Sequence, residues 1–144
     1  MVEQDTIRLL RECDAGVDMG VKGIEDCLSS VTDEHFRSFL VENKKEHEQL
    51  KREIGDLLKG YHDSGKDSHP FVETMSKMKT TMKLMMDDSD ESVADILTDG
   101  TNMGVKSLNK YLNEYKAADE KSKDIAKRLI NLEEALTIKM REYL

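Results

Sequence analysis

Asp14-Ala15-Gly16-Val17-Asp18-Met19-Gly20-Val21-Lys22-Gly23-Ile24 and Thr98-Asp99-Gly100-Thr101-Asn102-Met103-Gly104-Val105-Lys106-Ser107-Leu108 are two copies of one pattern, 84 residues apart. Both carry Gly-x-x-Met-Gly-Val-Lys, a run too specific to recur by chance in a chain of 144 residues. A fainter echo follows at a spacing of 90, where Leu50-Lys51-Arg52-Glu53-Ile54 matches Met140-Arg141-Glu142-Tyr143-Leu144. The chain is therefore two related units. The difference of six residues between the spacings is expected as a longer loop in the second unit.

Each unit reads as a pair of helices. Apolar residues recur at steps of three, four and seven through Ile7, Leu10, Val17, Val21, Ile24, Leu28 and Val31, which is a helical stripe. Thr32-Asp33-Glu34 then supplies a capping oxygen and first-turn negative charge for a second helix. That helix carries Phe36, Leu40, Asn43, His47, Leu50, Ile54, Leu57 and Tyr61 and ends near Gly60. In the second unit a helix from about Ser92 to Tyr115 bears Ala94, Leu97, Thr101, Val105, Leu108 and Leu112. After Asp119 a last helix carries Ala126, Leu129, Ile130, Leu132, Glu133, Leu136 and Met140.

The expected organisation is one all-α domain over residues 1–144, with hairpin 1 at about 3–60, a crossover at about 61–89 and hairpin 2 at about 90–144. A connection of about thirty residues far exceeds the usual two to eight between bundle helices. It is long enough to run the length of the bundle, leaving the third helix antiparallel to the first. Within it a polar loop ends at Pro70, and Val72, Met75, Met78, Met82 and Met85 form the stripe of a short helix. The Met75–Met86 thioethers suit an adaptable packing surface better than a copper or haem site.

Composition narrows the chemistry. Aromatic residues make up 5% of the chain and there is no tryptophan, against 36% charged residues, a profile that favours helices over a β-sandwich or barrel. A formal charge of -8, with pI near 5.0, repels phosphate backbones and argues against a nucleic-acid partner. No apolar run approaches the roughly 18 residues needed to span a bilayer, and charges break the apolar pattern of Met1–Arg11, unlike a secretory signal. Cys13 and Cys27, about 21 Å apart along one helix, cannot bridge each other, since a disulfide needs Cα atoms within about 7 Å. A reduced, cytoplasmic chain is expected. His62, Asp63, Asp67 and His69 share one loop, but their spacing fits no zinc pattern.

Two related helical hairpins joined by a full-length crossover resemble the ferritin-like four-helix bundle over almost the whole chain. The stretch Cys13-Asp14-Ala15-Gly16 is similar to one in the first helix of small bacterial ferritin-like domains without assigned function. The resemblance implies a place for two metals, since di-iron members carry one Glu on each of two helices and Glu-x-x-His on each of the other two. Here Lys44 precedes His47 where the Glu belongs, and Glu134 is followed by Thr137 where the His belongs. On the facing helices, Val17 or Asp18 and Thr101 or Asn102 stand at the remaining positions. His47, Glu134 and Asp18 are thus all that is left for a single divalent ion. The favoured expectation is a cofactor-free, non-catalytic bundle in which Asn43, His47, Glu133 or Glu134, and Thr137 form a hydrogen-bonded interior layer.

Four helix glycines, Gly16, Gly20, Gly100 and Gly104, need a reason, because each costs about 1 kcal/mol relative to alanine. Close packing of the first helix on the third is the simplest. An interface between copies is the functional alternative, with a homo-oligomer, a dimer first, or another protein as partner.

Overall fold

Among the described residues, three of four α-helices open on a side-chain cap. In the computed structural model, which describes residues 2–63 and 89–144, the helices are α1 (Val2–Leu28), α2 (Glu34–Gly60), α3 (Asp90–Glu114) and α4 (Glu120–Met140), followed by a short 3₁₀ turn at Arg141–Tyr143. Asp33 accepts the Phe36 amide at 2.8 Å, Ser89 the Ser92 amide at 3.1 Å, and Asp119 the Ser122 amide at 2.8 Å. These acceptors satisfy backbone donors that α2, α3 and α4 would otherwise leave open. No strand occurs among the described residues.

α2 closes differently. The amides of His62 and Asp63 bond back to the carbonyls of Lys59 and Leu58 at 3.0 and 2.9 Å, the paired bonds of a Schellman ending. That ending needs a left-handed residue, and His62 takes it at φ 57 where glycine is the usual occupant. Asp63 then receives the Arg11 guanidinium of α1 in a two-point ion pair.

The core fixes helix directions. One buried cluster joins Leu9, Leu10, Cys13 and Val17 of α1 to Leu50, Ile54 and Leu58 of α2, Leu108 of α3, and Ile125, Ala126, Leu129 and Ile130 of α4. The other joins Ile24 and Cys27 of α1 to Phe36 and Leu40 of α2, Val93, Ala94 and Leu97 of α3, and Leu136 and Met140 of α4. Hence α1 and α4 run one way and α2 and α3 the other. This is a four-helix bundle with α3 antiparallel to α1, as the repeat implies. Each fully buried Leu or Ile contributes roughly 1.5–3 kcal/mol, so the two clusters are the main stabilising force.

Both ends are tied across hairpins. At one, the Asp90 carboxylate heading α3 accepts the Thr32 amide at 2.7 Å, the Thr32 hydroxyl at 2.8 Å and the Asp33 amide at 3.1 Å. Tyr143 stacks there on Phe36 with ring centroids 4.1 Å apart, and its hydroxyl donates to Asp33 at 3.1 Å. At the other, Thr6 Oγ1 accepts the Asp119 amide at 2.8 Å and Asp5 accepts the Ala117 amide at 3.1 Å.

The expected longer loop in the second unit is corrected. Both connections have five residues, 29–33 and 115–119. The six extra residues are helical: α3 continues two residues further past Gly104 than α1 does past Gly20, and α4 starts four residues earlier relative to Met140 than α2 does relative to Leu50. Apart from Tyr61–Asp63 and Ser89, the expected crossover, with the short helix expected over Val72–Met85 and the Asp67 and His69 positions, lies outside the described residues.

Candidate functional site: a polar layer at mid-bundle

Between the two apolar clusters the interior turns polar. Asn43 and His47 enter this layer from α2, Thr101 from α3, and Glu133 and Thr137 from α4, while α1 contributes Gly20. His47 is fully buried and Glu133 is 7% exposed. A Cβ at Gly20 would stand 2.7 Å from His47 Nε2 and 3.5 Å from Glu133 Oε1, and one at Gly104 would stand 3.6 Å from the Glu133 carboxyl carbon. The Glu133 side chain therefore passes beside two glycines, one on α1 and one on α3, to meet the imidazole of α2.

The hydrogen bonds determine where protons sit. His47 Nδ1 lies 2.9 Å from the Asn43 carbonyl oxygen, which only accepts, so Nδ1 carries hydrogen. His47 Nε2 lies 3.3 Å from Glu133 Oε1. A hydrogen bond across that gap requires one more proton, shared between ring and carboxylate. Burial by itself favours the neutral ring. The Glu133 hydrogen bond and charge, with the Asn43 carbonyl and the Glu46 charge, outweigh burial and raise the His47 pKa above its usual value. Beside this pair, Thr101 and Thr137 hydroxyls meet at 2.5 Å and lie 3.1 and 3.0 Å from the Thr98 and Glu133 carbonyls. Asn43 Nδ2 donates to the Leu132 carbonyl at 3.3 Å. Asn43 Oδ1 is buried with no hydrogen-bond partner among the described residues.

The three candidate metal ligands do not converge. The carboxylate facing His47 is Glu133, whereas Glu134 points from the exposed side of α4. Asp18 is partly exposed and paired with Lys51 of α2, which also lies 3.7 Å from Asp14. The α1 residue facing His47 is Gly20, and Val17 belongs to an apolar cluster. Lys44 stays out of the interior, 3.2 Å from Glu25. Among the described residues no three His, Cys, Asp or Glu side chains gather as a metal would require. A di-iron centre needs several carboxylates, and this layer offers one, already engaged with its only imidazole. The donor set does not fit the metal pair that the ferritin-like resemblance implies.

The glycines divide as well. A Cβ on Gly16 would meet Leu129 of α4 at 3.5 Å, and Gly20 and Gly104 face His47 and Glu133. These three make room for side chains of α2 and α4. Gly100 has open space beside it. The cysteines are buried, one in each apolar cluster. Burial first, then neighbouring carboxylates, pushes both thiols up, Cys27 to about 11, which leaves them protonated small hydrophobes at neutral pH.

Sequence reasoning left Glu133 and Glu134 open as the acid of the interior layer, of which the structure selects Glu133, and it missed Gly20 as the facing position. Both signals were present. Glu133 falls in the stripe Ala126-Leu129-Glu133-Leu136-Met140, and Gly20 fills the step between Val17 and Ile24. Compared with protein families, curated proteins and solved structures, the chain finds no match.

Proposed function

We propose that this protein is a metal-free, non-catalytic member of the ferritin-like superfamily that acts through its outer surface, by self-association or by binding a protein partner. The observation supporting this reading is that the titratable groups and hydroxyls of the polar layer are engaged with one another. Its imidazole and its carboxylate engage each other, its hydroxyls engage each other and the backbone, and glycines on α1 and α3 give the Glu133 side chain its room. With the interior so occupied, the helix exteriors are what the bundle offers other molecules. They carry excess acid, which keeps the protein soluble and disfavours polyanionic partners. No helix among the described residues is long and apolar enough to cross a membrane. A reducing, cytoplasmic setting accords with two buried thiols held apart in separate clusters.

The test combines elemental analysis with light scattering on protein purified without chelators. The expected result is no stoichiometric transition metal, together with a dimer or larger species or a recovered partner. Iron, zinc or manganese bound near one per chain, and lost in His47→Ala, would overturn the metal-free reading. A strict monomer at high concentration with no partner would overturn the association reading.

A further inference from the structure

His47 and Glu133 are the only groups of opposite potential charge that meet inside the bundle among the described contacts, and they come from different hairpins. Every other described ion pair has at least one partner with substantial solvent exposure or lies at the rim. The neighbourhood of the imidazole leaves Glu133 as its one direct charged partner. From α1 the facing residue is Gly20, and the nearest acids on that helix, Asp14 and Asp18, share Lys51. From α3, Gly104 faces Glu133 and the Thr101 hydroxyl bonds Thr137, and both are uncharged. On α2 itself Glu46 is exposed and Lys44 pairs with Glu25.

We propose that the His47–Glu133 pair is a proton-operated latch between the hairpins, closed when its shared proton is present and loosened when that proton is lost. The geometry sets the direction. Because Nδ1 is already a donor to the Asn43 carbonyl, loss of the shared proton leaves a bare Nε2 lone pair 3.3 Å from a carboxylate oxygen, both buried. Two acceptors then face each other, the ring fully buried and the carboxylate nearly so, which costs the layer its only link from α2 to the α4 carboxylate. Lowering the pH restores the proton and the link. This inference does not rest on the association reading and holds whether or not the protein oligomerises.

The sign follows from linkage. The folded-state pKa of His47 is raised, so the pair's contribution is fully present below the ordinary histidine value of about 6.5 and is lost as pH rises through the raised one. Within that window the unfolding equilibrium constant increases by up to about tenfold per pH unit for one linked proton.

Two measurements on the full chain test the latch. The first is a histidine proton-NMR titration of the wild-type protein. The His47 signal is expected to titrate above the ordinary histidine value, and titration at or below it would overturn the proposal. The second is urea denaturation from pH 6 to 9 for wild type, His47→Gln and Glu133→Gln. The wild-type protein should lose stability over the window, while both variants show a flatter profile there. Variants that fold and keep the wild-type slope would overturn it. Should the variants fail to fold, the wild-type titration still decides.

Discussion

The two hairpins share a sequence pattern but fill their matched interior positions with complementary chemistry. At the spacing of 84, Val17 in α1 corresponds to Thr101 in α3, and Gly20 to Gly104. At the spacing of 90, Asn43 in α2 corresponds to Glu133 in α4, and His47 to Thr137. Hairpin 1 thus brings an imidazole with an amide, and hairpin 2 a carboxylate with two hydroxyls. The imidazole of hairpin 1 and the carboxylate of hairpin 2 are buried by docking, and docking is also what pairs them. Divergence at these few positions has made a near-repeat into a matched pair. Buried polar pairs of this kind are better understood as setting register than as adding net stability.

The largest expected effect comes from removing one side of that match. Glu133→Leu should cost about 3 kcal/mol or more at pH 6 by urea denaturation, because it strands a buried imidazole. Combining it with His47→Leu should recover part of the loss, giving a coupling of roughly 0.5–3 kcal/mol in a double-mutant cycle. Simple additivity would show that the two residues do not act as a pair.

The glycines test the same asymmetry at smaller cost. Gly20→Ala places a methyl 2.7 Å from the His47 ring, and overpacking of that kind costs typically about 1–3 kcal/mol, more than the helix regains from alanine. Gly104→Ala meets Glu133 at 3.6 Å, an ordinary contact, so the gain in helix propensity of up to about 1 kcal/mol should stand. Opposite signs for matched glycines, read from thermal melts, would confirm that hairpin 1 holds the tight side of the layer. Equal signs would break the comparison.

The smallest effect lies at the end of α2. His62→Gly relieves a left-handed residue that carries a side chain, and should stabilise the protein by up to about 1 kcal/mol without moving Asp63 from Arg11. Loss of stability would mean that the His62 side chain makes a contribution larger than its backbone cost.

Much of this architecture was legible in the chain because periodicity and capping are local. The stripes through Leu10, Val17 and Ile24, or Leu40, Leu50 and Ile54, place helices, and Asp33 and Asp119 stand where caps belong. What local reasoning mistook was rotation about a helix axis. Glu133 and Glu134 are neighbours in sequence but about 100° apart around α4; for a metal ligand, a three-residue spacing taken from the di-iron bundles this chain resembles pointed to Glu134, whereas the apolar stripe already contained Glu133. The extra six residues were misplaced for a related reason, since spacing alone cannot distinguish added loop from added helix.

The ties at the bundle ends also say something about how the chain assembles. Thr6 and Asp119 are 113 positions apart and Asp90 and Thr32 are 58 apart, whereas the two helices of each hairpin are joined by a five-residue turn. Short closures are fast and distant ones slow. Each hairpin's apolar face is covered by the other, and the His47–Glu133 contact forms only when the two dock. A chain cut within 64–88 would pose the question as a bimolecular one, in which two fragments must find each other to become one protein.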